Sequence, residues 1–197
     1  MKILLLDMYG VIIEESKGNF TPFVYARFPF TDKADYRAQF TKAQLGEISG
    51  DAFMRSLGFT DTQGAVREYI ENHLTLDPTF HAFAKRFSEE YDFALLSNDV
   101  SEKSEYIREY HDIKRYFKAA IVSANVGCRK PDAKIYEIAL ERLGVAARDC
   151  IFVDNSVANL IAAASVGMDT VLFNRDGEDY DGKVVYSFEE LGKILTI

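Results

Sequence analysis

Little in this chain suits nucleic acid, a metal cluster, a disulfide scaffold or a membrane. Its 23 lysines and arginines are outnumbered by 31 acidic residues, leaving a net charge of −8. Phosphate backbones select basic surfaces, so nucleic acid is not an expected partner. Cys128 and Cys150 stand without metal-type spacing and read as buried free thiols in a reducing cytoplasm. The three histidines, His73, His81 and His111, are scattered, and none is assigned a role. No apolar stretch reaches the ~18 residues that cross a bilayer. The start of the chain, one lysine and then an apolar run into Asp7, lacks the longer apolar core and small-residue cleavage site of a signal peptide. No repeat, low-complexity tract or proline- or serine-rich linker is found. An acidic balance still admits a small anionic substrate, because a lysine or metal inside a cleft inverts the local field.

What is present is 197 residues, 48% apolar and 27% charged, enough for one core with a small insertion. Five runs read as strands buried on both faces: KILLLD (2–7), FALLSN (93–98), AAIVS (119–123), CIFVD (150–154) and TVLFN (170–174). Helical patterns separate most of them, which predicts an α/β fold with a doubly wound parallel sheet. One helix is expected over 78–87, with Asp77 as N-cap and Pro78 at its first position. Another is expected over 131–143, opened by Pro131 and closed at Gly144, and a third over about 157–166, before Gly167. Ser187 and Glu190 suggest a capping box for a last helix.

The stretch between the first two strands is too long for an ordinary connection. Residues 14–76, with helix-like pieces around KADYRAQFTKAQLG and SGDAFMRSLG, are expected as a helical cap inserted into a core of 1–13 and 77–197. Such a cap would sit over the carboxyl ends of the strands, where open α/β sheets bind ligands. Its aromatic residues Phe20, Phe23, Tyr25, Phe28, Phe30, Tyr36 and Phe40 suit a core or a pocket wall, and an aromatic stripe is more often core.

Four features fall at strand ends or just before a helix: Asp7, Ser97 with Asn98, Lys130, and Asp154 with Asn155. Singly, each has a bland explanation as a turn or a cap. Lys130 fits that explanation least, because a cation at a helix start meets the positive end of the dipole. In a parallel sheet with right-handed crossovers the carboxyl ends share one edge, so the four should converge.

In that order they resemble the haloacid dehalogenase-like (HAD) hydrolase superfamily over nearly the whole chain. DMYGV stands where the family has D-x-D-G-T/V; LLSN matches the second motif, the lysine of GCRKPDAKIY the third, and FVDNSVANLIAAASVGM the fourth. GEISGDAF looks like the entrance to the last helices of the family's small helical cap. The third and fourth motifs most resemble sugar-phosphate phosphatases and the N-terminal phosphatase domain of soluble epoxide hydrolases. The resemblance implies a Rossmannoid core and a cytoplasmic hydrolase acting on a small phosphorylated metabolite. Asp7 would be the nucleophile that forms an aspartyl-phosphate. Ser97 and Asn98 would donate to the phosphoryl oxygens, Lys130 would neutralise the transition state, and Gly10 would join them in binding substrate. Mg²⁺ would be held by Asp7, the carbonyl of Tyr9, and the fourth motif at Asp154 and Asn155.

Two positions depart from the pattern. Tyr9 stands where relatives have the aspartate that protonates the leaving group, and a phenol with a reference pKa of ~10 is a poor base at neutral pH. Asn155 replaces a second acid and brings no charge, so weaker metal binding is expected. A phosphatase is therefore one reading. A 2-haloacid dehalogenase is another, since that family carries D-x-Y-G-T and halide leaves unprotonated; it needs an arginine for the substrate carboxylate, with Arg27 or Arg37 as candidates. A third reading is a non-catalytic binder of a phosphorylated ligand.

Overall fold

The computed structural model describes residues 2–29 and 31–196. The first strand, β1 (Lys2–Leu6), buries Leu4, Leu5 and Leu6 completely, and an apolar run of that kind fits only the middle of a sheet covered on both faces. Among the described residues it is flanked by five more strands: β2 (Tyr91–Ser97), β3 (Phe117–Val122), β4 (Cys150–Asp154), β5 (Asp169–Phe173) and β6 (Lys183–Val185). All pair in parallel, in the order β3-β2-β1-β4-β5-β6. The chain winds outward from β1 to β3, then returns to β4 on the other side. That reversal leaves a crevice between the carboxyl ends of β1 and β4, the place where such sheets bind ligands.

Alternate side chains of the strands feed two cores. Leu4, Leu6, Phe93, Leu95 and Phe173 face one; Ile3, Leu5, Ala94, Leu96 and Phe152 face the other. The first is covered by α5 (Phe80–Phe87), α6 (Ser101–Tyr110) and α9 (Phe188–Leu195), the second by α7 (Ala133–Leu143) and α8 (Val157–Ser165). Cys128 and Cys150 are free and buried, and burial pushes the Cys150 thiol up to about 12.

Two helix starts differ from the sequence expectation. Asp77 does not cap a helix at Pro78: its Oδ1 accepts the Thr79 amide and hydroxyl, a local turn, and α5 begins at Phe80. Likewise α7 begins at Ala133, two residues after Pro131, with Asp132 accepting the Lys134 amide as N-cap. Gly144 closes α7 in the left-handed region, at φ 66°. At α9 Ser187 caps Glu190, but Glu190 returns its bond to Tyr186 rather than to Ser187.

Residues 14–76 carry α1 (Phe20–Arg27), α2 (Lys33–Gln44), α3 (Gly50–Ser56) and α4 (Thr62–His73). The two legs of the insert are paired: Asp77 donates to the Ile12 carbonyl, and Glu14 to that of Thr75. Its aromatic residues divide. Phe20, Phe23 and Tyr36 are buried together, Phe40 and Tyr25 pack against them, and Phe30 lies outside the described residues.

Candidate active site

The end of β1 is fixed before any chemistry is considered. Asp7 continues the β1–β4 ladder, its amide donating to the Val153 carbonyl at 2.9 Å. The chain then turns sharply: Gly10 adopts φ +77°, and a Cβ there would meet the Asn155 amide nitrogen at 2.4 Å. Conformation and space both require glycine. The turn therefore presses the first motif against the fourth.

Lys130 occupies the centre. Only 2% exposed, its Nζ donates to Asp7 Oδ1 at 2.7 Å, Asp154 Oδ2 at 2.7 Å and the Leu96 carbonyl at 2.9 Å. An ammonium has three donors, and all three are used. Burying such a charge is tolerable only with this degree of compensation. Asn98 braces the lysine, accepting its backbone N–H at 2.8 Å and donating to its carbonyl at 2.9 Å. That pair uses one of the two side-chain N–H donors of Asn98; the other has no partner among the described residues.

Asp154 is held as firmly. Its oxygens accept from Lys130, the Ser156 amide and, twice, Asn159 Nδ2. These contacts hold the Asp154 carboxylate against Lys130. Asp7 retains a vacancy: Oδ1 accepts Lys130 and the Met8 amide, and among the described residues nothing donates to Oδ2. Burial, opposed by Lys130 and reinforced by Asp154, raises Asp7 to about 7. The Ser97 hydroxyl, fully buried at the end of β2, has no hydrogen-bond partner among the described residues.

Asp99 and Lys103 were not singled out from the sequence. The Asp99 carboxylate is completely buried and accepts the Val100 amide, the Tyr9 hydroxyl at 3.0 Å and the Lys103 ammonium at 2.8 Å. The same ammonium lies 5.2–5.7 Å from the centres of the Tyr9, Phe20, Phe40 and Tyr69 rings, within reach of cation–π attraction. Burial, and then the charge of Asp99, pushes the Tyr9 phenol well above its ordinary value. Tyr9 therefore stays protonated, with its hydrogen committed to Asp99. The available signal was an acid and a lysine four residues apart, directly after LLSN.

Tyr9 and Lys103 border a cavity of about 340 Å³, floored by Asp7, Asn98 and Lys130 and walled by Phe20, Tyr36 and Phe40. Gln44 ties insert to floor, donating to the Asn98 carbonyl and accepting from Arg129. Arg27 pairs with Glu68 across the insert and Arg37 is exposed; neither borders this cavity. Asp7 Oδ2, the Tyr9 carbonyl and Asn155 Oδ1 accept no hydrogen bond among the described residues. One carboxylate and two neutral oxygens form a hard donor set that suits Mg²⁺ with several waters. Among the described residues, no cluster of three or more His, Cys, Asp or Glu side chains could hold a metal.

Comparison with known proteins assigns the class. The chain belongs to the haloacid dehalogenase-like hydrolases, whose family profile matches residues 1–167. It is 36% identical over 74 residues to a sesquiterpene phosphatase of Aspergillus oryzae, covering 38% of each chain. It is 31% identical over 87 residues to an (S)-2-haloacid dehalogenase of Burkholderia cepacia, covering 44% of this chain and 38% of that one. The matched stretches thus span well under half the length of these curated relatives. In fold it is similar to a HAD phosphatase of Thermococcus onnurineus, with a TM-score of 0.76 and 22% identity over 99% of this chain and 98% of that one. A HAD-family enzyme of Bacteroides thetaiotaomicron, crystallised as an Asp-to-Ala mutant with magnesium and inorganic phosphate, gives a TM-score of 0.75 and 20% identity over 92% of this chain and 97% of that one. No helix among the described residues is long and apolar enough to cross a membrane.

Proposed function

We propose that this hydrolase is a phosphatase that uses Asp7 to take the phosphoryl group from a small phosphorylated metabolite in the cytoplasm. The observation that carries the reading is the Asp7–Lys130–Asp154 group, which leaves one Asp7 oxygen without a partner among the described residues at the floor of the cavity. The Asp7 carboxylate attacks phosphorus, the bond to the leaving oxygen breaks, and an aspartyl-phosphate forms. Water then attacks that phosphorus, releasing phosphate and restoring the carboxylate. Lys130 stays in place throughout and offsets the negative charge that gathers at Asp7. Ser97 donates its hydroxyl to a phosphoryl oxygen. Asp7, the Tyr9 carbonyl and Asn155 would hold Mg²⁺, which would supply positive charge to offset that of the transferring phosphoryl group.

Tyr9 does not supply a proton to the departing group, because its hydrogen bond runs to Asp99. Substrates whose leaving oxygen is stable without protonation, such as anomeric phosphates, are therefore favoured. The helical insert covers the cavity and selects the organic part of the substrate through its aromatic wall. Tyr9 and the likeness to a haloacid dehalogenase support halide displacement as a second reading. The absence of Arg27 and Arg37 from the cavity weighs against it, since nothing there pairs with a substrate carboxylate in bidentate fashion. The test is phosphate release from a panel of phosphorylated metabolites, with Mg²⁺ and with EDTA. Release that ceases on chelation supports the phosphatase; chloride release from 2-chloropropionate without phosphate release replaces it.

A further inference from the structure

The loop after β5 is built rather than loose. Arg175 donates to the Gly10 and Val11 carbonyls and to Asp77, tying the loop to the turn behind the nucleophile and to the exit leg of the insert. Asn174 and Glu178 bond reciprocally through side chain and backbone, and Glu178 accepts the Val157 amide at the start of α8. Between them, Asp176 points at the site. Its Oδ1 accepts the Ser16 hydroxyl at 2.7 Å, and its Oδ2 accepts Asn155 Nδ2 at 3.2 Å.

That last bond decides how Asn155 presents itself. An asparagine amide has a donor edge and an acceptor edge. With Nδ2 turned to Asp176, Oδ1 is the edge left without a partner among the described residues, and that oxygen is the one through which Asn155 can ligate a cation. A carboxylate accepting from the amide nitrogen also draws electron density toward the carbonyl oxygen, and it places a negative charge one residue beyond the ligand. We infer that Asp176 is the positioning residue of the cation site: it fixes the amide of Asn155 and restores the charge that asparagine lacks. Partners behind a ligand commonly change metal affinity 10–100-fold. Asp176 is exposed, so solvent screening places it at the lower end.

This inference rests on the Mg²⁺-dependent reading, and the experiment separates the two. Mg²⁺ is titrated calorimetrically into the metal-free full chain as wild type, Asp176→Asn, and Asp176→Asn combined with Asn155→Asp. The expected result is binding by wild type, affinity about tenfold lower in Asp176→Asn, and recovery to at least the wild-type value in the double variant. Asn155→Asp alone is titrated as well. Asp176→Asn should cost much less affinity in that background, where the ligand carries its own charge and needs no orienting partner. A purely structural role would lower both backgrounds alike, which keeps the test valid even if the single variant melts earlier in EDTA. Equal affinity of wild type and Asp176→Asn overturns the inference and leaves the metal reading intact. No Mg²⁺ binding by wild type overturns both.

Discussion

The floor and the wall of the cavity are built on opposite principles. On the floor, polar groups are held by several directional hydrogen bonds each: Lys130 by three acceptors, Asp154 by four contacts, Asn98 by a reciprocal pair. On the wall, Lys103 makes one ion pair and otherwise rests among ring faces, and Phe20, Tyr36 and Phe40 meet through stacked contacts. Several hydrogen bonds together fix direction to within a few tenths of an ångström; aromatic and cation–π contacts fix proximity but leave shape adjustable. On the proposed reading, chemistry sits where direction is fixed and selection where it is not.

Substitutions on the floor break this comparison most strongly. Asp7→Asn should lower phosphate release by on the order of 10³-fold or more, because no other free carboxylate oxygen is placed as nucleophile. It should also alter stability in a pH-dependent way. Burial raises Asp7 from its ordinary 3.8 to about 7, so the folded protein holds this proton more tightly than the unfolded chain. The contribution of this group to stability therefore falls as pH rises from 3.8 towards 7. Thermal melts without divalent cations should show Asp7→Asn above wild type at pH 8, with the gap closing as pH falls towards 4.

Lys130→Met removes the shared cation and leaves Asp7 and Asp154 facing each other, buried. Urea unfolding should show a loss of about 3–5 kcal/mol. The wall should respond less. Lys103→Met strands only Asp99, which keeps the Tyr9 hydroxyl and the Val100 amide, and the thioether suits an aromatic cage, so about 2 kcal/mol is expected. Its kinetic signature should be a change in KM and substrate preference more than in kcat. The smallest effect belongs to Tyr9→Phe, which deletes one hydrogen bond to Asp99, worth about 1 kcal/mol. Since that hydroxyl gives no proton to the leaving group, kcat should stay within about threefold. A drop in kcat as large as that of Asp7→Asn would move Tyr9 from the wall to the floor.

The same division explains what could be read from the amino-acid sequence. The floor is legible because each strand advertises itself as an apolar run and each functional group follows one: Asp7 after LLL, Ser97 after FALL, Asp154 after IFV. Helix α6 left no such mark. Its buried face is Lys103, Ser104, Ile107 and Arg108, a helical spacing written mostly in polar residues, which hydrophobic periodicity cannot detect. Strand β6 has three residues, of which only Val185 is buried, too short for an alternation to register. The helix starts near Asp77 and Asp132 were displaced because aspartate side chains bond their own backbone two residues on, and that local turn wins over an earlier helix. Asp176 gave no signal, since a polar loop of asparagine, aspartate and glycine reads as connection whichever member points into a site.

The central claim is that phosphorus passes through Asp7. It is tested most directly by mixing the Mg²⁺-loaded protein with acetyl phosphate, quenching in acid during turnover, and mapping the modified peptide by mass spectrometry. The account predicts a phosphoryl group on the peptide that carries Asp7, in the wild type and not in Asp7→Asn. Phosphate release without that adduct, or an adduct on any other residue, would contradict it.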